Sequence, residues 1–560
     1  MINIFNGGTI FMKRIVLILL AFVLLFSFFV TGCGSASNNE EGSIAATTVK
    51  TAAPAEPEQY FLPLVNAPAT ITFATTENAS GTVTMSQNLP VWVELEKRTG
   101  IKVKWQCTSS KDYDQTIQTR LASGTNLPDI LRLPQQNPLT YADNKEVIPL
   151  TDLINQYAPD IVQLFKDKPE VRNGLITPDG NIYWIASILS ARSVVNYPAP
   201  IYRKDWASKV GLGAPQTIDD WYNMLRKFKE SDMNGNGKDD EIPLYLSGLG
   251  ELNIFAWSYG LMLSPNDSST NGATDNDSYQ VDSNDKVYFL YTDPRFKEFL
   301  TEMNKWYTEG LVNKELFNTT NDDLTAVVMA NQTGASAGFN MIAPQWTTNM
   351  QQTIPDAYWD TVYPPKGPGG EQHLLQERPL SSELYAISRD CKDPGLVVKW
   401  LDYVFASEDG QILIGNYGIE GDTYTMVNGE PQLTDKVIKD PRGTGAVQWE
   451  EGINCAVPRI LMSGIFAQRF GIFPQAALSM DAASKFYLQM FPNIIPTKEE
   501  SDTITGIMAD INTYRVEMET KFINGTEPLS NFDQYVSKLN SIGIDQVTQI
   551  KQQQYDRTSK

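Results

Sequence analysis

The feature that most limits the fold is an alternation of short β-branched runs with helix-like stretches. Residues 69–75 (ATITFAT), 101–107 (IKVKWQC) and 128–133 (PDILRL) have the composition of strands. Between them, residues 89–100 and 113–124 carry apolar side chains at helical spacing and end in glycine. Such alternation is typical of a parallel sheet covered by helices, with ligands near the carboxyl ends of the strands. The predicted fold class is therefore α/β.

The same pattern begins again farther along the chain. Residues 217–232 (TIDDWYNMLRKFKESD) predict an amphipathic helix that Thr217 can cap, with Asp219 and Asp220 in its first turn. A chain of 560 residues is too long for one ordinary domain, so we expect two core domains with tails. Further helices are predicted at residues 295–311, 395–410 and 501–560.

The charge balance of the chain is acidic. The formal net charge is −21, from 66 Asp and Glu against 45 Lys and Arg. Such a surface repels nucleic acids, so DNA and RNA are disfavoured as partners. Hydrophobic residues make up 42% of the chain and aromatic residues 11%, which is enough for large cores and argues against a disordered protein.

The four cysteines and the single histidine exclude several kinds of site. Cys33, Cys107, Cys391 and Cys455 form no C-x-x-C pair, which argues against a zinc ribbon or a redox motif. His373 has no second imidazole to join it, so a zinc site with two histidines is impossible. A Ser-His-Asp triad would have to use this one residue, whose simpler interpretation is an ordinary loop histidine.

The N-terminal residues have the form of an export signal. From Met12, Lys13 and Arg14 precede an apolar run, Ile15–Val30, and the small-residue sequence VTGC follows it. The run is about as long as the apolar part of a signal peptide and short for a membrane span. VTGC resembles the bacterial lipobox, which implies diacylglyceryl transfer to Cys33. An unmodified signal peptide or a membrane anchor is the alternative.

Residues 1–32 are therefore predicted to be a signal peptide, for which Met12 is the start that fits. Residues 33–65 are rich in Ser, Ala, Thr, Pro and Glu, and we predict a flexible tether that joins a lipid anchor to the folded part. The expected location is the outer face of the cell membrane.

Residues 231–244 (SDMNGNGKDDEIPL) concentrate oxygen-bearing side chains around two glycines. Calcium takes six to eight hard oxygens from flexible loops. The predicted ligands are Asp232, Asn234, Asn236, a backbone carbonyl near Lys238, Asp240 and Glu241. The loop has a glycine at position six, as in an EF-hand, but Pro243 stands where the bidentate glutamate belongs. A metal-free Asn-Gly turn and a regulatory site are the alternatives to a structural metal.

Several stretches in the same order resemble the bacterial extracellular solute-binding proteins of the carbohydrate type, the lipoprotein subunits of ABC sugar importers. The segments that carry this resemblance are residues 91–105, 120–130, 203–244, 417–431 and 514–547. The resemblance implies a periplasmic-binding-protein-like fold of two α/β lobes joined by crossing hinge segments. It also implies an oligosaccharide bound between the lobes, delivery to a membrane permease, a structural calcium ion in the loop described above, and no chemistry on the sugar.

On this resemblance, residues 66–190 and 335–400 form the first lobe, and residues 191–334 and 401–560 form the second. Sugar sites combine aromatic platforms with polar side chains. From loop-like surroundings we predict contacts by eight residues: Asn78, Ser80, Asp129, Trp257, Trp346, Trp359, Glu420 and Tyr424. Tryptophans at helical spacing are predicted to be core residues: Trp92, Trp221, Trp306 and Trp400.

Two other functions fit the same sequence. A secreted glycoside hydrolase would need two carboxylates about 5 to 10 Å apart, and 66 acidic residues always allow such a pair to be imagined. A surface receptor that presents its ligand to a sensor kinase would use the same fold. The sugar itself, its length and its linkage are not readable, and related receptors bind peptides. We expect a monomeric binding protein and not an enzyme.

Overall fold

The structure is a computed structural model. It describes residues 56–558, except residues 78–82, 86, 135–137, 190–197, 266–274, 341, 377–379, 441, 456, 463, 466–467 and 469–483. Residues 54–560 form one compact unit. The predicted signal peptide and the lipidation site Cys33 lie outside the described residues.

The described residues form strands at these positions: β1 Ala69–Thr76, β2 Ile101–Thr108, β3 Ile130–Leu133, β4 Trp184–Ile188, β5 Pro198–Arg203, β6 Ile242–Leu244, β7 Tyr279–Val281, β8 Val287–Phe289, β9 Thr333–Phe339, β10 Trp359–Thr361, β11 Leu374–Gln376, β12 Leu380–Ile387, β13 Tyr424–Val427, β14 Glu430–Leu433 and β15 Tyr487–Gln489.

The α-helices are Pro90–Thr99, Tyr113–Ser123, Pro138–Asp143, Thr151–Tyr157, Pro159–Asp167, Pro169–Asn173, Lys204–Lys209, Ile218–Lys229, Asn253–Ala256, Pro294–Thr308, Asn321–Met329, Ile342–Met350, Pro394–Phe405, Glu408–Gly410, Asp435–Ile438, Thr444–Glu451, Lys498–Asn524, Phe532–Ile542 and Ile544–Thr558. Every helix predicted from the sequence is present. Within the described part of the chain, no helix has both the length and the apolar character that a membrane span needs.

A five-stranded sheet in the order β2-β1-β3-β12-β4 forms the centre of the first lobe. The predicted parallel pairing of β1 with β2 and β3 is confirmed. The sheet as a whole is mixed, because β12 runs antiparallel to both β3 and β4. The prediction of a purely parallel sheet was wrong in this respect, since β12 reaches the sheet from a distant part of the sequence.

A four-stranded sheet in the order β10-β5-β9-β6 forms the centre of the second lobe. β5 is antiparallel to β9 and β10, and β6 is parallel to β9. The segment 335–400, which we assigned to the first lobe, is divided between the two sheets, because β9 and β10 belong to the second and β12 to the first. The lobe boundaries thus stay predictions, with this segment shared. Buried residues between Leu401 and Ile460, which we assigned to the second lobe, also pack in the core around the first sheet.

Each sheet has its own hydrophobic core. Trp400 and Trp92 belong to the core of the first lobe, and Trp221 and Trp306 to that of the second. All four side chains are buried, as helical spacing predicted. The two separate cores explain why the chain forms two α/β lobes, since each sheet buries its apolar face under its own helices.

The helix Ile218–Lys229 begins at a capping box. The Thr217 hydroxyl accepts a hydrogen bond from the Asp220 N–H at 3.0 Å, and the Asp220 carboxylate accepts one from the Thr217 N–H at 3.0 Å. These bonds satisfy two backbone donors that a helix start leaves open. The predicted cap is confirmed.

The segment that precedes β1 lies against the first lobe. The hydroxyl of Tyr60 donates a hydrogen bond to the buried Asp402 carboxylate at 2.9 Å, and the N–H of Glu58 donates one to the Gln156 carbonyl at 2.8 Å. Leu64 packs against the core of this lobe. The predicted flexible tether extended to residue 65, but Tyr60, Leu64 and Val65 at its end pack against the core of the first lobe.

Candidate functional site

The carboxyl ends of parallel strands lie at one edge of each sheet. In the first lobe, β1, β3 and β4 end at the edge where β12 begins, because β12 runs antiparallel to β3 and β4. In the second lobe, β6 and β9 end at the edge where β5 begins, because β5 runs antiparallel to β9. We call these the first-lobe edge and the second-lobe edge.

Two chain connections join the first-lobe edge to the second lobe. β11 contributes Leu374 and Leu375 to the core of the second lobe, and β12 enters the first-lobe sheet at Leu380. β11 ends at Gln376, and the four residues from there to Leu380 span at most about 14 Å. β4 ends at the first-lobe edge. The next strand in the chain is β5, which begins at the second-lobe edge. We therefore expect the two edges to border one cleft.

Four charged side chains lie along the first-lobe edge, and we call them the first-lobe cluster: Asp114, Arg132, Glu383 and Arg459. Arg132 is near the carboxyl end of β3, and Glu383 is near the start of β12. Asp114 lies in the first turn of the helix that follows β2. The N–H of Arg459 donates a hydrogen bond to the Ser187 hydroxyl at 3.2 Å, next to the end of β4.

The charges of the first-lobe cluster alternate in sign. Arg132 lies 3.6 Å from the Asp114 carboxylate and 3.5 Å from that of Glu383, and Arg459 lies 3.9 Å from Glu383. Only 12% of the Arg132 side chain and 16% of the Arg459 side chain are exposed. The Nε atom of each arginine is buried and has no hydrogen-bond partner among the described residues.

The second-lobe edge carries a carboxylate of its own. After β6, the Ser247 hydroxyl and N–H donate hydrogen bonds to the Glu251 carboxylate at 2.6 and 2.7 Å. Burial raises the pKa of Glu251, although both hydrogen bonds favour the charged form. A partly desolvated carboxylate beside a hydroxyl, at the carboxyl end of a strand, is a typical ligand-binding arrangement.

A crevice of about 180 Å³ opens where the first lobe meets the start of the helix Lys498–Asn524. Trp184, Leu380 and Leu384 line it from the first lobe, and Ile494 lines it from the core of the second. Ser381 and Leu384 of β12 both line the crevice, which therefore lies at the joint of the lobes, beside the strand that carries Glu383.

Three predicted ligand contacts are core residues. Trp257 and Trp359 are fully buried, and Trp346 is 4% exposed. The Trp257 indole N–H donates a hydrogen bond to the Leu263 carbonyl at 2.8 Å. Trp346 and Trp359 pack edge to face. A ring without an exposed face cannot stack on a sugar, so the choice of these tryptophans is corrected: polar neighbours in the sequence did not mean an exposed loop.

The other predicted contacts are spread over the molecule. Asp129 accepts hydrogen bonds at 2.7 Å from both the N–H and the hydroxyl of Thr72, which ties two neighbouring strands together. Glu420 is exposed, and Tyr424 is 7% exposed in a small core around the β13–β14 hairpin. Asn78 and Ser80 lie outside the described residues. The described contacts therefore do not assemble into one site.

The charged residues at the two edges were missed from the sequence. Arg132 lies in the predicted strand PDILRL, and Glu383 lies in the strand SSELYAI. A charged residue near the end of an otherwise buried strand is the signal that would have found both. Glu251 has no such local signal, because its place depends on the pairing of β6 with β9.

The predicted calcium loop is closed by its own hydrogen bonds. The Asp232 carboxylate accepts bonds from the N–H groups of Gly235 and Gly237 at 2.7 and 2.9 Å. The side-chain amides of Asn234 and Asn236 both reach the Asp240 carboxylate at 3.0 Å. These bonds lower the pKa of Asp240, so its carboxylate is ionised at neutral pH.

The donor set of this loop fits a hard cation. The Asn234 and Asn236 amides meet the Asp240 carboxylate at one point, while their oxygens accept hydrogen bonds from the Asn236 and Lys238 N–H groups at 3.0 and 2.8 Å. Glu241 instead accepts hydrogen bonds from the N–H groups of Met233 and Asn234, which braces the start of the loop. Within the described residues, no group of three or more His, Cys, Asp or Glu side chains is placed to hold a metal, so amide and backbone oxygens would have to complete the shell.

Among the cysteines that the structure describes, Cys107 and Cys391 are half-buried free thiols, and Cys455 is buried. Burial raises the pKa of each to about 12. The thiolate is the nucleophilic form of cysteine, so these thiols are poorly reactive at neutral pH.

The sequence matches the family of bacterial extracellular solute-binding proteins over residues 80–411. One relative is the fructooligosaccharide ABC transporter substrate-binding protein FusA of Streptococcus pneumoniae, 26% identical over 483 residues, which are 83% of this chain and 86% of FusA. Lipoprotein LipO of Bacillus subtilis is 27% identical over 61% of this chain and 66% of its own.

Among solved structures, the alginate-binding protein AlgQ2, crystallised without calcium ion, superposes with a TM-score of 0.69. It is 25% identical, and the match covers 88% of this chain and 99% of AlgQ2. The two-lobed fold and these matches agree. The chain belongs to the family of bacterial extracellular solute-binding proteins.

Proposed function

We propose that this protein is the substrate-binding subunit of an ABC importer, and that it captures an oligosaccharide in the cleft between its lobes. The observation that carries the proposal is the match to FusA over most of both chains. The cleft supports it, because polar groups of both lobes border the space in which a sugar would lie.

The connections between the lobes suggest how capture works. β11 and β15 pair as a small parallel ladder directly before the passage to β12 in the chain. Closure brings the second-lobe edge, with Ser247 and Glu251, towards the first-lobe cluster. A sugar between them exchanges water for hydrogen bonds from both sides, and these bonds strengthen as water leaves the cleft. Reopening then releases the sugar to the permease.

The same proposal includes the anchor. The lipobox-like VTGC favours a lipid on Cys33, which would hold the protein at the outer face of the cell membrane beside its permease subunits. The ordered segment around Tyr60 joins this tether to the first lobe. The second lobe would therefore be the one that moves relative to the membrane on closure.

We also propose that the loop after the helix Ile218–Lys229 binds one calcium ion with a structural role. Asp232, Asn234, Asn236, Asp240 and the carbonyl of Lys238 would hold it. The positive ion would bind oxygen atoms from both ends of the loop and so hold the two ends together. The loop leads directly into β6, whose far end carries Ser247 and Glu251, so a fixed loop keeps this strand in register.

A thermal-shift screen of the chain from Ser35 onward, against neutral and acidic oligosaccharides with calcium present, tests the function. A ligand at about 100 times its dissociation constant stabilises the folded state by about 2.7 kcal/mol. We expect a shift that depends on chain length and no new reducing ends after incubation. Cleavage of the sugar would instead support a glycoside hydrolase. A panel of peptides is the matched control, and a shift with peptides alone would contradict the carbohydrate proposal.

A further inference from the structure

The two arginine side chains of the first-lobe cluster are largely buried, but their distances to the neighbouring carboxylates are long. Charge-assisted hydrogen bonds between nitrogen and oxygen measure about 2.7 to 2.9 Å. The contacts of Arg132 with its carboxylates measure 3.6 and 3.5 Å, and that of Arg459 with Glu383 measures 3.9 Å. The remaining bonds of Arg459 reach the backbone carbonyls of Cys455 and Val457 at 3.4 and 3.3 Å.

Two other arginines of the described residues are held more closely by their carboxylates. Arg203, which is 1% exposed, holds Asp205 at 2.6 Å, and Arg295 holds Asp293 at 2.7 Å. A guanidinium that has left water without full hydrogen bonding carries a desolvation cost. At a cleft edge, a ligand that supplies the missing oxygen acceptors would offset it.

We infer that the first-lobe cluster is a subsite for the hydroxyl groups of an uncharged sugar, and that it selects neutral oligosaccharides over acidic ones. The inference rests on the proposed function and adds the substrate class. A hydroxyl both donates and accepts, so neighbouring hydroxyls of one ring can accept from an arginine and donate to Glu383. A row of side chains that alternately donate and accept hydrogen bonds therefore matches the hydroxyl groups along the edge of a sugar ring.

A sugar carboxylate meets a less favourable arrangement. It accepts hydrogen bonds but donates none, and each arginine already has a carboxylate beside it. The four charges of the cluster sum to zero, so the cluster offers an anion no net attraction. Glu251 adds an acidic group on the opposite edge. A uronate would therefore bring a further negative charge into a partly desolvated site, where repulsion is strong.

Isothermal titration calorimetry of the whole mature chain with calcium tests this inference. The probes are two panels of matched length: neutral fructans and glucans, and oligogalacturonates and oligomannuronates. We expect neutral sugars to bind at least about ten-fold more tightly, the discrimination that one misplaced polar group produces. If no sugar of either panel binds, the proposed function fails. If an acidic sugar binds more tightly, the function stands and the inference is overturned.

Variants of the cluster distinguish ligand contact from a structural role. Arg132→Gln is expected to weaken neutral-sugar binding about ten-fold or more, because it removes bonds to a charged donor. Glu383→Gln should weaken neutral binding and at the same time improve acidic binding, a reversal that a merely destabilised site does not produce. Arg226→Gln, at an exposed helix pair with Glu230, is the matched control. Unchanged affinity in a folded Arg132→Gln variant, checked by its melting temperature, would overturn the inference.

Discussion

The hydroxyl of Tyr60 donates a hydrogen bond to a fully buried carboxylate, that of Asp402, at 2.9 Å. Asp402 also accepts a hydrogen bond from the Ile161 N–H at 2.7 Å. Its carboxylate thus joins three parts of the first lobe: the segment before β1, the helix Pro159–Asp167 and the helix Pro394–Phe405. Burial raises the pKa of Asp402 to about 7 despite these donors.

This pKa predicts a pH dependence of stability. Between the usual value of 3.8 and about 7, the folded state holds a proton on Asp402 that the unfolded state has lost. Asp402 therefore contributes stability at low pH that disappears as the pH rises through this window. We expect Asp402→Asn to gain stability relative to the wild type as the pH rises, by at most about 1.4 kcal/mol for each pKa unit of the shift.

Urea denaturation of both proteins at several values between pH 4 and pH 8 measures this effect. The difference between the free energies of unfolding of the wild type and the variant isolates the contribution of Asp402 from that of the other carboxylates. Asp422→Asn, at an exposed pair with Lys436, should show no such trend. A wild-type-minus-variant difference that stays constant across the range would refute the assignment.

Removal of calcium is expected to lower the melting temperature more than it weakens sugar binding. The loop residues lie outside both cleft edges, and the ion would fix the entry to β6. Differential scanning calorimetry with and without a chelator measures the first quantity, and titration with sugar measures the second. Asp240→Ala should abolish the effect of the chelator, whereas Asp435→Ala at an exposed helix pair should keep it. A chelator that abolishes binding without moving the melting point would contradict a structural role.

Trp257→Ala should destabilise the protein by about 3 to 5 kcal/mol, the usual loss for a buried aromatic side chain. The substitution removes a fully buried ring and leaves the Leu263 carbonyl without its indole donor. Chemical denaturation measures the loss, and titration below the unfolding transition should give the wild-type sugar affinity. Trp257→Phe, which keeps most of the volume, should cost less. A large drop in sugar affinity with little change in stability would mean that Trp257 contacts the sugar and is not only a core residue.

Thr217→Ala should lower the free energy of unfolding by about 1 kcal/mol, because it removes the side-chain acceptor of the capping box. Thr217→Ser keeps the hydroxyl and should stay close to the wild type. Equal losses in the two variants, measured in the same urea titration, would mean that the threonine methyl group and not the cap carries the effect.

The elements that local pattern determines were predicted well. β1, β2 and β3 and their helices follow from periodicity, and Thr217 followed by Asp220 has a recognisable capping pattern. β12 was missed as a partner of β3, because pairing between distant segments leaves no trace in either one.

The site was predicted less well for the same reason. Trp257 and Trp359 have polar neighbours in the sequence, and only tertiary packing buries them. Arg132 and Glu383 become a pair only when β12 lies beside β3. Residues that adjacent strands bring together cannot be found by inspecting either strand alone.

The position of β12 also affects how the protein folds. Ile387 pairs with Ile130, and every strand of the second-lobe sheet lies between them in the sequence. β3 therefore keeps an open edge until residues beyond the second-lobe sheet have been synthesised, and pairings across such separations form slowly. This order of strands makes the closing of the first-lobe sheet a late step in folding.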